Sequence, residues 1–241
     1  MTELIYQTDA YLRTFEAVVA DLVPDGVVLN RTAFFPGGGG QPHDVGWLEV
    51  DGEAHQVARV KRHQGRIVHQ WSDPLACATS VSVGAPVCGI LDWDRRYSLM
   101  RTHTAMHILC GVVWRDYGAS VTGGDMKLLR GRMDFEFARM ERDLVEEIQE
   151  KINIEVAAAR PISIRVLPRE EAFQIPDLIR TKINLLPKHI RQVRVVEIEG
   201  LDLQADGGTH VADTEEVGPL RIVDYKSKGR INKRLVVGLE N

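Results

Sequence analysis

The sequence predicts an α+β protein in two parts. A small β-barrel is expected over residues 1–93, followed over residues 94–241 by a two-layer α/β domain with an antiparallel sheet. Three observations carry that expectation. The first part is rich in short β-like runs separated by turn residues, the pattern of a small barrel. Two later stretches, Ser98–Arg115 and Glu141–Ala159, carry apolar residues at helical spacing. The strands after them look antiparallel, as in a sheet covered by helices.

In the first part, Phe15–Val23 and Gly26–Asn30 flank Pro24-Asp25, a turn signal. Trp47–Gly52 is a strand ending in an Asp-Gly turn. Val57–Lys61, Arg66–Gln70 and Ser80–Val83 follow as further strands. Between them lies Phe34–Pro42, with four consecutive glycines, Gly37 to Gly40. Such a run is costly to order. It reads either as a mobile surface loop or as a nest of N–H groups near a phosphate or a domain joint. Composition alone favours the mobile loop.

Asp92–Tyr97 looks like a hinge into the second part. The helix that follows has Ser98 as its N-cap, no proline, and a single late glycine, Gly111. Leu99, Met106, Leu109 and Val113 follow the helical period, widened by Ala105, Ile108 and Val112. Gly123-Gly124 is expected to turn into a strand at Arg132–Phe137. Glu141–Ala159 places Leu144, Ile148, Ile152 and Val156 on one side, and Glu146, Glu147 and Glu150 on a solvated face. Pro161 ends that helix. Ile162–Leu167, a short helix at Arg169–Phe173, Gln192–Ile198 and a terminal pair, Leu220–Lys226 with Lys233–Leu239, complete the chain.

The 241 residues are 44% apolar and 27% charged, ordinary for a soluble globular protein. A net charge of −4 excludes a polycation, so any nucleic-acid surface must be a local patch. The best candidate lies in residues 221–241, where Arg221, Lys226, Lys228, Arg230, Lys233 and Arg234 face only Asp224 and Glu240. It reads equally as a solubilising tail on an edge hairpin. Cys77, Cys88 and Cys110 form no disulfide pattern, which points to reducing cytoplasm. The N-terminus does not read as a signal peptide, and no run approaches the ~20 apolar residues of a membrane helix. A soluble, cytoplasmic protein without a membrane partner is expected.

His103 and His107 lie four apart on the first helix, so both imidazoles leave one face. That is a metal-ligand spacing, and it also suits two core histidines bonded to backbone. Residues 206–211, Asp-Gly-Gly-Thr-His-Val, add Asp206 and His210 around a Gly-Gly pair expected to turn with positive φ. Together the stretches offer three imidazoles and one carboxylate, enough to fill a zinc site. Thr104 stands where a zinc protease would carry its glutamate base, so that motif fits poorly.

These residues resemble a known family. His103-x-x-x-His107 followed by Asp202-x-Gln204-x-Asp206-Gly-Gly-Thr-His210 resembles the second additional domain of alanyl- and threonyl-tRNA synthetases. Phe34-Phe-Pro-Gly-Gly-Gly-Gly-Gln41 with Asp44-x-Gly46 resembles the glycine-rich motif of the alanyl branch, and Lys226 to Arg234 that domain's C-terminal ending. With no room for an aminoacylation domain, the chain is similar to free-standing alanyl-tRNA editing proteins of the AlaX type, in their longer form with an N-terminal barrel.

The resemblance implies an aminoacyl-tRNA hydrolase that removes serine, and glycine as a second substrate, from mischarged tRNA(Ala). An alanine pocket cannot strongly reject an isostere with an added hydroxyl, so a second hydrolytic site is needed. It implies one Zn²⁺ per chain on His103, His107, Asp206 and His210. Thr209 would contact the substrate hydroxyl, and Thr122 would begin the pocket wall. Gly38, Gly39, Gly40 and Gln41 would sit near the acceptor end. Lys226, Lys228, Lys233 and Arg234 would meet acceptor-stem phosphates of the aminoacylated tRNA(Ala), with no DNA partner. The oligomeric state is left open, a monomer being compatible. The family carries cysteine where this sequence has Asp206. Two roles are open for that carboxylate, a harder metal ligand or a base beside a three-histidine zinc. Cys110 is not at the family's thiolate position. Two other classes compete: a non-catalytic, zinc-stabilised RNA-binding module, and a zinc hydrolase of small esters.

Overall fold

Alternating burial along the early strands builds the first unit. Phe15, Ala17 and Val19 point inward from β2 (Thr14–Val23), and Leu48 and Val50 from β5 (Gly46–Val50). With β3 (Gly26–Leu29), β6 (Glu53–His63), β7 (Arg66–Trp71) and β8 (Pro86–Leu91), these strands close a barrel in the order β2-β3-β7-β6-β5-β8. Two short strands, β1 (Glu3–Leu4) and β4 (Arg31–Thr32), pair in parallel beside it. This computed structural model describes residues 2–73, 81–181, 186 and 190–240. By contacts the chain divides into two units, Met1–Tyr97 and Ser98–Asn241.

The strand expected at Ser80–Val83 does not form: Val81 to Val83 lie outside any strand, and Ser80 is outside the described residues. The closing strand is β8. Its proline stands at the first position, where a missing N–H is tolerated. The glycine run is a hydrogen-bonded turn rather than an irregular loop. Gly38 and Gln41 exchange two backbone hydrogen bonds of 3.0 Å, with Gly39 at φ 60° and Gly40 at φ 90°. Positive φ at both central residues is what a type I′ turn requires. Asp44 anchors its base: Oδ2 accepts from the Phe35 N–H at 2.6 Å. Fully buried Arg96 pairs with the same carboxylate and donates to Ala10 O at 2.9 Å.

The first helix, α1, runs from Trp93 to Tyr117. Asp92 caps it by accepting from the Arg95 N–H at 3.1 Å, so Ser98 lies inside the helix and residues 93–97 are helical. The earlier cap prevails because an aspartate three residues ahead of a free N–H satisfies it directly. From Leu99 to Val113 α1 is buried nearly all round, and it forms the centre of the second unit.

Around α1 stand two antiparallel sheets. One has the order β14 (Leu220–Ser227), β15 (Asn232–Leu239), β10 (Arg130–Glu136), β9 (Val121–Lys127). The other comprises β11 (Ile162–Pro168), β12 (Gln192–Ile198) and β13 (Asp202–Ala205). Helix α2 (Arg142–Ala157) buries Val145, Ile148, Ile152 and Val156, and its Gln149 and Asn153 accept from backbone N–H groups of β14. A short α3 spans Arg169–Ala172. Gly123-Gly124 does not turn; both glycines lie within β9, opposite Asp134 and Met133. The turn falls at Leu128-Leu129. The glycines instead admit the helix: a Cβ on Gly124 would stand 3.3 Å from the Met106 side chain. The chain is thus an α+β protein with an N-terminal barrel and antiparallel sheets in its second unit. Among the described residues no helix is long and apolar enough to cross a membrane.

Candidate metal centre

Helix α1 and the segment after β13 bring four side chains together. His103, His107, Asp206 and His210 each offer one ligand atom, and all four atoms lie within 4.8 Å of one another. The i, i+4 spacing places His103 and His107 one turn apart on α1, with ring centroids 5.1 Å apart. His210 stacks on His103 at 4.3 Å. All three imidazoles are buried.

Asp206 points inward. Its Oδ2 lies 3.1 Å from His210 Nε2, and its Oδ1 lies 3.6 Å from His103 Nε2. The same Oδ2 accepts from the Gly208 N–H at 2.7 Å. That bond closes a side-chain turn, and neither Gly207 nor Gly208 adopts a positive φ. The positive-φ expectation for this pair therefore fails, because a side-chain Asx turn does the bending. Buried Arg194 on β12 fixes the loop further, donating to Asp206 O at 3.0 Å.

The ring nitrogens turned away from the cluster have partners. His107 Nδ1–H donates to Asp202 Oδ2 at 2.9 Å, which leaves Nε2 for the cluster. His210 Nδ1 lies 3.2 Å from Thr104 Oγ1, which also accepts from the Val211 N–H at 3.4 Å. Thr104 thus orients a histidine where a zinc protease would place its base. A carboxylate behind a ligating imidazole fixes tautomer and orientation. Gln204 Nε2 in turn donates to Asp202 Oδ2 at 2.7 Å and contacts Cys110 Sγ at 3.4 Å. The approach of α1 to the β12–β13 hairpin depends on Gly111, whose added Cβ would lie 2.9 Å from the Leu201 side chain.

Electrostatics suit a cation. Burial holds His103 well below the ordinary histidine range and His210 at about 4, so both are neutral. Burial would raise the Asp206 carboxyl, but His103 and the His210 hydrogen bond hold it well below the usual carboxylate range. For His107, burial is outweighed by Asp202, which raises it. Neutral His103 and His210 and an ionised Asp206 are the forms a divalent metal binds, whereas at His107 the metal must displace a proton that Asp202 helps to hold. Three nitrogens and one carboxylate are a donor set for zinc, whose ligand distances are about 2.0–2.2 Å. The residues present therefore fit a metal ion.

The other sequence-predicted residues are placed differently. Thr209 is fully buried beside His210. Thr122 is exposed on β9 and donates to Asn232 Oδ1 at 2.9 Å. Gly38 to Gln41 form the turn of the first unit. Lys226 is exposed, 4.0 Å from Asp224, and Lys228 is exposed too. Lys233 is buried, with its ammonium on Gly229 O at 2.7 Å and Arg230 O at 3.0 Å. Arg234 makes a two-pronged pair with Asp134 at 2.6 and 2.8 Å. Asp202, Gln204, Thr104 and Arg194 carried no assigned role in the sequence reading. A signal for two of them existed: Asp202, Gln204 and Asp206 alternate with Leu203 and Ala205, which puts them on one face of an extended segment.

Two family models match parts of this chain. Residues 6–95 match the family of class II (A) tRNA synthetases, and residues 193–236 match the threonyl and alanyl tRNA synthetase second additional domain. The alanine–tRNA ligase of Thermococcus kodakarensis is 36% identical over 92% of this chain but only 24% of its own length. The alanyl-tRNA editing proteins AlaX-M of Methanosarcina barkeri and Saccharolobus solfataricus are each 38% identical over 98% of this chain and 98% of theirs. Similarity that runs the whole length of the small proteins, and a quarter of the ligase, decides between them: this chain belongs to the AlaX-M family of alanyl-tRNA editing proteins.

Proposed function

We propose that this protein is a trans-editing hydrolase that deacylates mischarged tRNA(Ala), with Ser-tRNA(Ala) as chief substrate and Gly-tRNA(Ala) as a second. The observation that carries this reading is the buried convergence of His103, His107, Asp206 and His210 in a chain whose full-length relatives are named alanyl-tRNA editing proteins. The bond broken joins the amino acid's carbonyl carbon to a hydroxyl oxygen of the terminal ribose. Water's oxygen bonds to that carbon, the carbon–ribose bond breaks, and a proton from water ends on the ribose oxygen.

His103, His107, His210 and Asp206 would hold one Zn²⁺. A zinc ion held there would supply Lewis acidity to the ester carbonyl and to water. The chain's own residues set the geometry. Asp202 fixes the His107 ring by accepting its Nδ1–H, and Thr104 fixes that of His210. Asp206 serves as the anionic ligand, the role its inward-pointing oxygens favour over that of a base. Thr209 meets the substrate's side-chain hydroxyl. The first unit's Gly38 to Gln41 turn serves the acceptor end. Lys226 and Lys228, both exposed, meet acceptor-stem phosphates together with Lys233 and Arg234 of the same hairpin, although Lys226 lies near Asp224 and Arg234 is paired with Asp134.

The test is deacylation of Ser-, Gly- and Ala-tRNA(Ala), with and without a chelator, on wild type and on Asp206→Ala. The expected result is release of serine and glycine, sparing of alanine, and loss of activity with chelator. Asp206→Ala should lose both metal and rate. Retained zinc with a rate lowered by about 10²–10⁴-fold would make Asp206 a base instead. No hydrolysis by a metal-loaded protein would leave a zinc-stabilised RNA-binding module. Equal hydrolysis of a small serine ester would leave an esterase without tRNA specificity.

A further inference from the structure

The four ligand atoms of the cluster include no sulfur. They are three imidazole nitrogens and a carboxylate oxygen. Cys110 is buried nearby, but its Sγ contacts Gln204, which bonds Asp202 behind the His107 ring. The thiol therefore lies on the side of His107 away from the ligand atoms. Cys88 belongs to the barrel strand β8.

The Asp206 carboxylate turns both oxygens toward imidazole nitrogens, Oδ1 at 3.6 Å from His103 and Oδ2 at 3.1 Å from His210. A thiolate donates through one atom and favours soft or borderline ions. A carboxylate can donate through one oxygen or two, so it serves ions that want four ligands and ions that want five or six. Imidazole and carboxylate together suit zinc, cobalt, iron and manganese, and selectivity among these follows ligand type and geometry.

We propose that this cluster is a broad divalent-cation site that accepts Mn²⁺ and Co²⁺ as well as Zn²⁺, and that the Asp206 carboxylate sets that breadth. The proposal rests on the ligand assignment above and extends it to the class of ion. Zinc still binds more tightly than manganese, in the usual order of divalent affinities, but by a smaller margin than a thiolate would impose. Which ion fills the site then depends on which is available.

The experiment uses the full chain stripped by chelator and titrated with Mn²⁺, Co²⁺ and Zn²⁺ separately. Binding is followed by manganese electron paramagnetic resonance, cobalt absorption and zinc competition. Wild type should bind one Mn²⁺ per chain, displaced by zinc, and its cobalt form should lack sulfur-to-cobalt charge-transfer absorption. In Asp206→Cys that absorption should appear, and the zinc-to-manganese affinity ratio should rise roughly tenfold or more. An unchanged ratio in a variant that shows the sulfur band would overturn the proposal. Absence of manganese binding to wild type would overturn it as well, even if the variant does not fold. Deacylation measured on the same samples separates the two readings. Broad ion binding without hydrolysis removes the proposed function alone; zinc-supported hydrolysis without manganese binding removes the breadth alone.

Discussion

The barrel and the unit around α1 each contain a glycine-rich turn and each bury histidine, and they use both for opposite ends. In the barrel, Gly39 and Gly40 are required by backbone conformation, since both hold positive φ. In the other unit, Gly207-Gly208 turns without positive φ, because Asp206 Oδ2 accepts the Gly208 N–H. The same contrast holds for histidine. His69 in the barrel has both ring nitrogens engaged: Nδ1–H donates to Val27 O at 3.3 Å and Nε2 accepts from Thr32 Oγ1 at 2.8 Å. His107 and His210 turn Nδ1 outward to Asp202 and Thr104, and the Nε2 of His210 meets another member of the cluster, Asp206, at 3.1 Å. A buried histidine becomes a ligand when its second nitrogen is left facing other donors.

The largest effect expected from this contrast lies in the barrel's acid response. Burial lowers His69 to about 4 from an ordinary 6.5, so the folded state binds fewer protons than the unfolded state between those values. Its contribution is complete above pH 6.5 and is lost as pH falls toward 4, on the order of 3 kcal/mol. Denaturant midpoints of wild type and His69→Gln at pH 7.5 and pH 5 should converge on acidification. Parallel loss in both proteins would show that His69 is not the titrating group.

A smaller effect is expected behind the metal cluster. Asp202→Ala removes the acceptor of the His107 Nδ1–H and should weaken zinc about 10–100-fold. Asp202→Asn keeps an acceptor oxygen and should recover part of that loss. Zinc competition on both variants decides the matter, and equal affinity in all three proteins would make Asp202 a packing residue.

The two glycine turns give the smallest and sharpest test. Gly39→Ala forces a side chain into the left-handed region and should destabilise by about 1–2 kcal/mol. Gly207→Ala meets no atom within 4 Å and no positive φ, so its effect should stay within about 0.5 kcal/mol. Comparable losses from thermal or denaturant unfolding would erase the distinction between a turn made by glycine and one made by a carboxylate.

The amino-acid sequence by itself determined the local patterns. Short β-like runs set off by turn residues located most barrel strands, the 3.6-residue period located α1 and α2, and the i, i+4 spacing set His103 and His107 on one face. It also named the four cluster residues, because His210 and Asp206 stand in one short motif. Only tertiary structure decided the rest. The β8 strand was missed because it opens with proline and interrupts its apolar run with Gly89, so local preference argued against it. Gly123-Gly124 looked like a turn because glycine's freedom carries no information about a helix packed above it; Met106 supplies that reason. Lys233 and Arg234 looked like free cations until the hairpin's own carbonyls and Asp134 proved to be their partners. Which nitrogen of His107 faces the cluster depends on Asp202, 95 residues away in sequence. Periodicity reports the neighbours a residue has along its own element, whereas ring orientation and charge pairing depend on neighbours that only folding supplies.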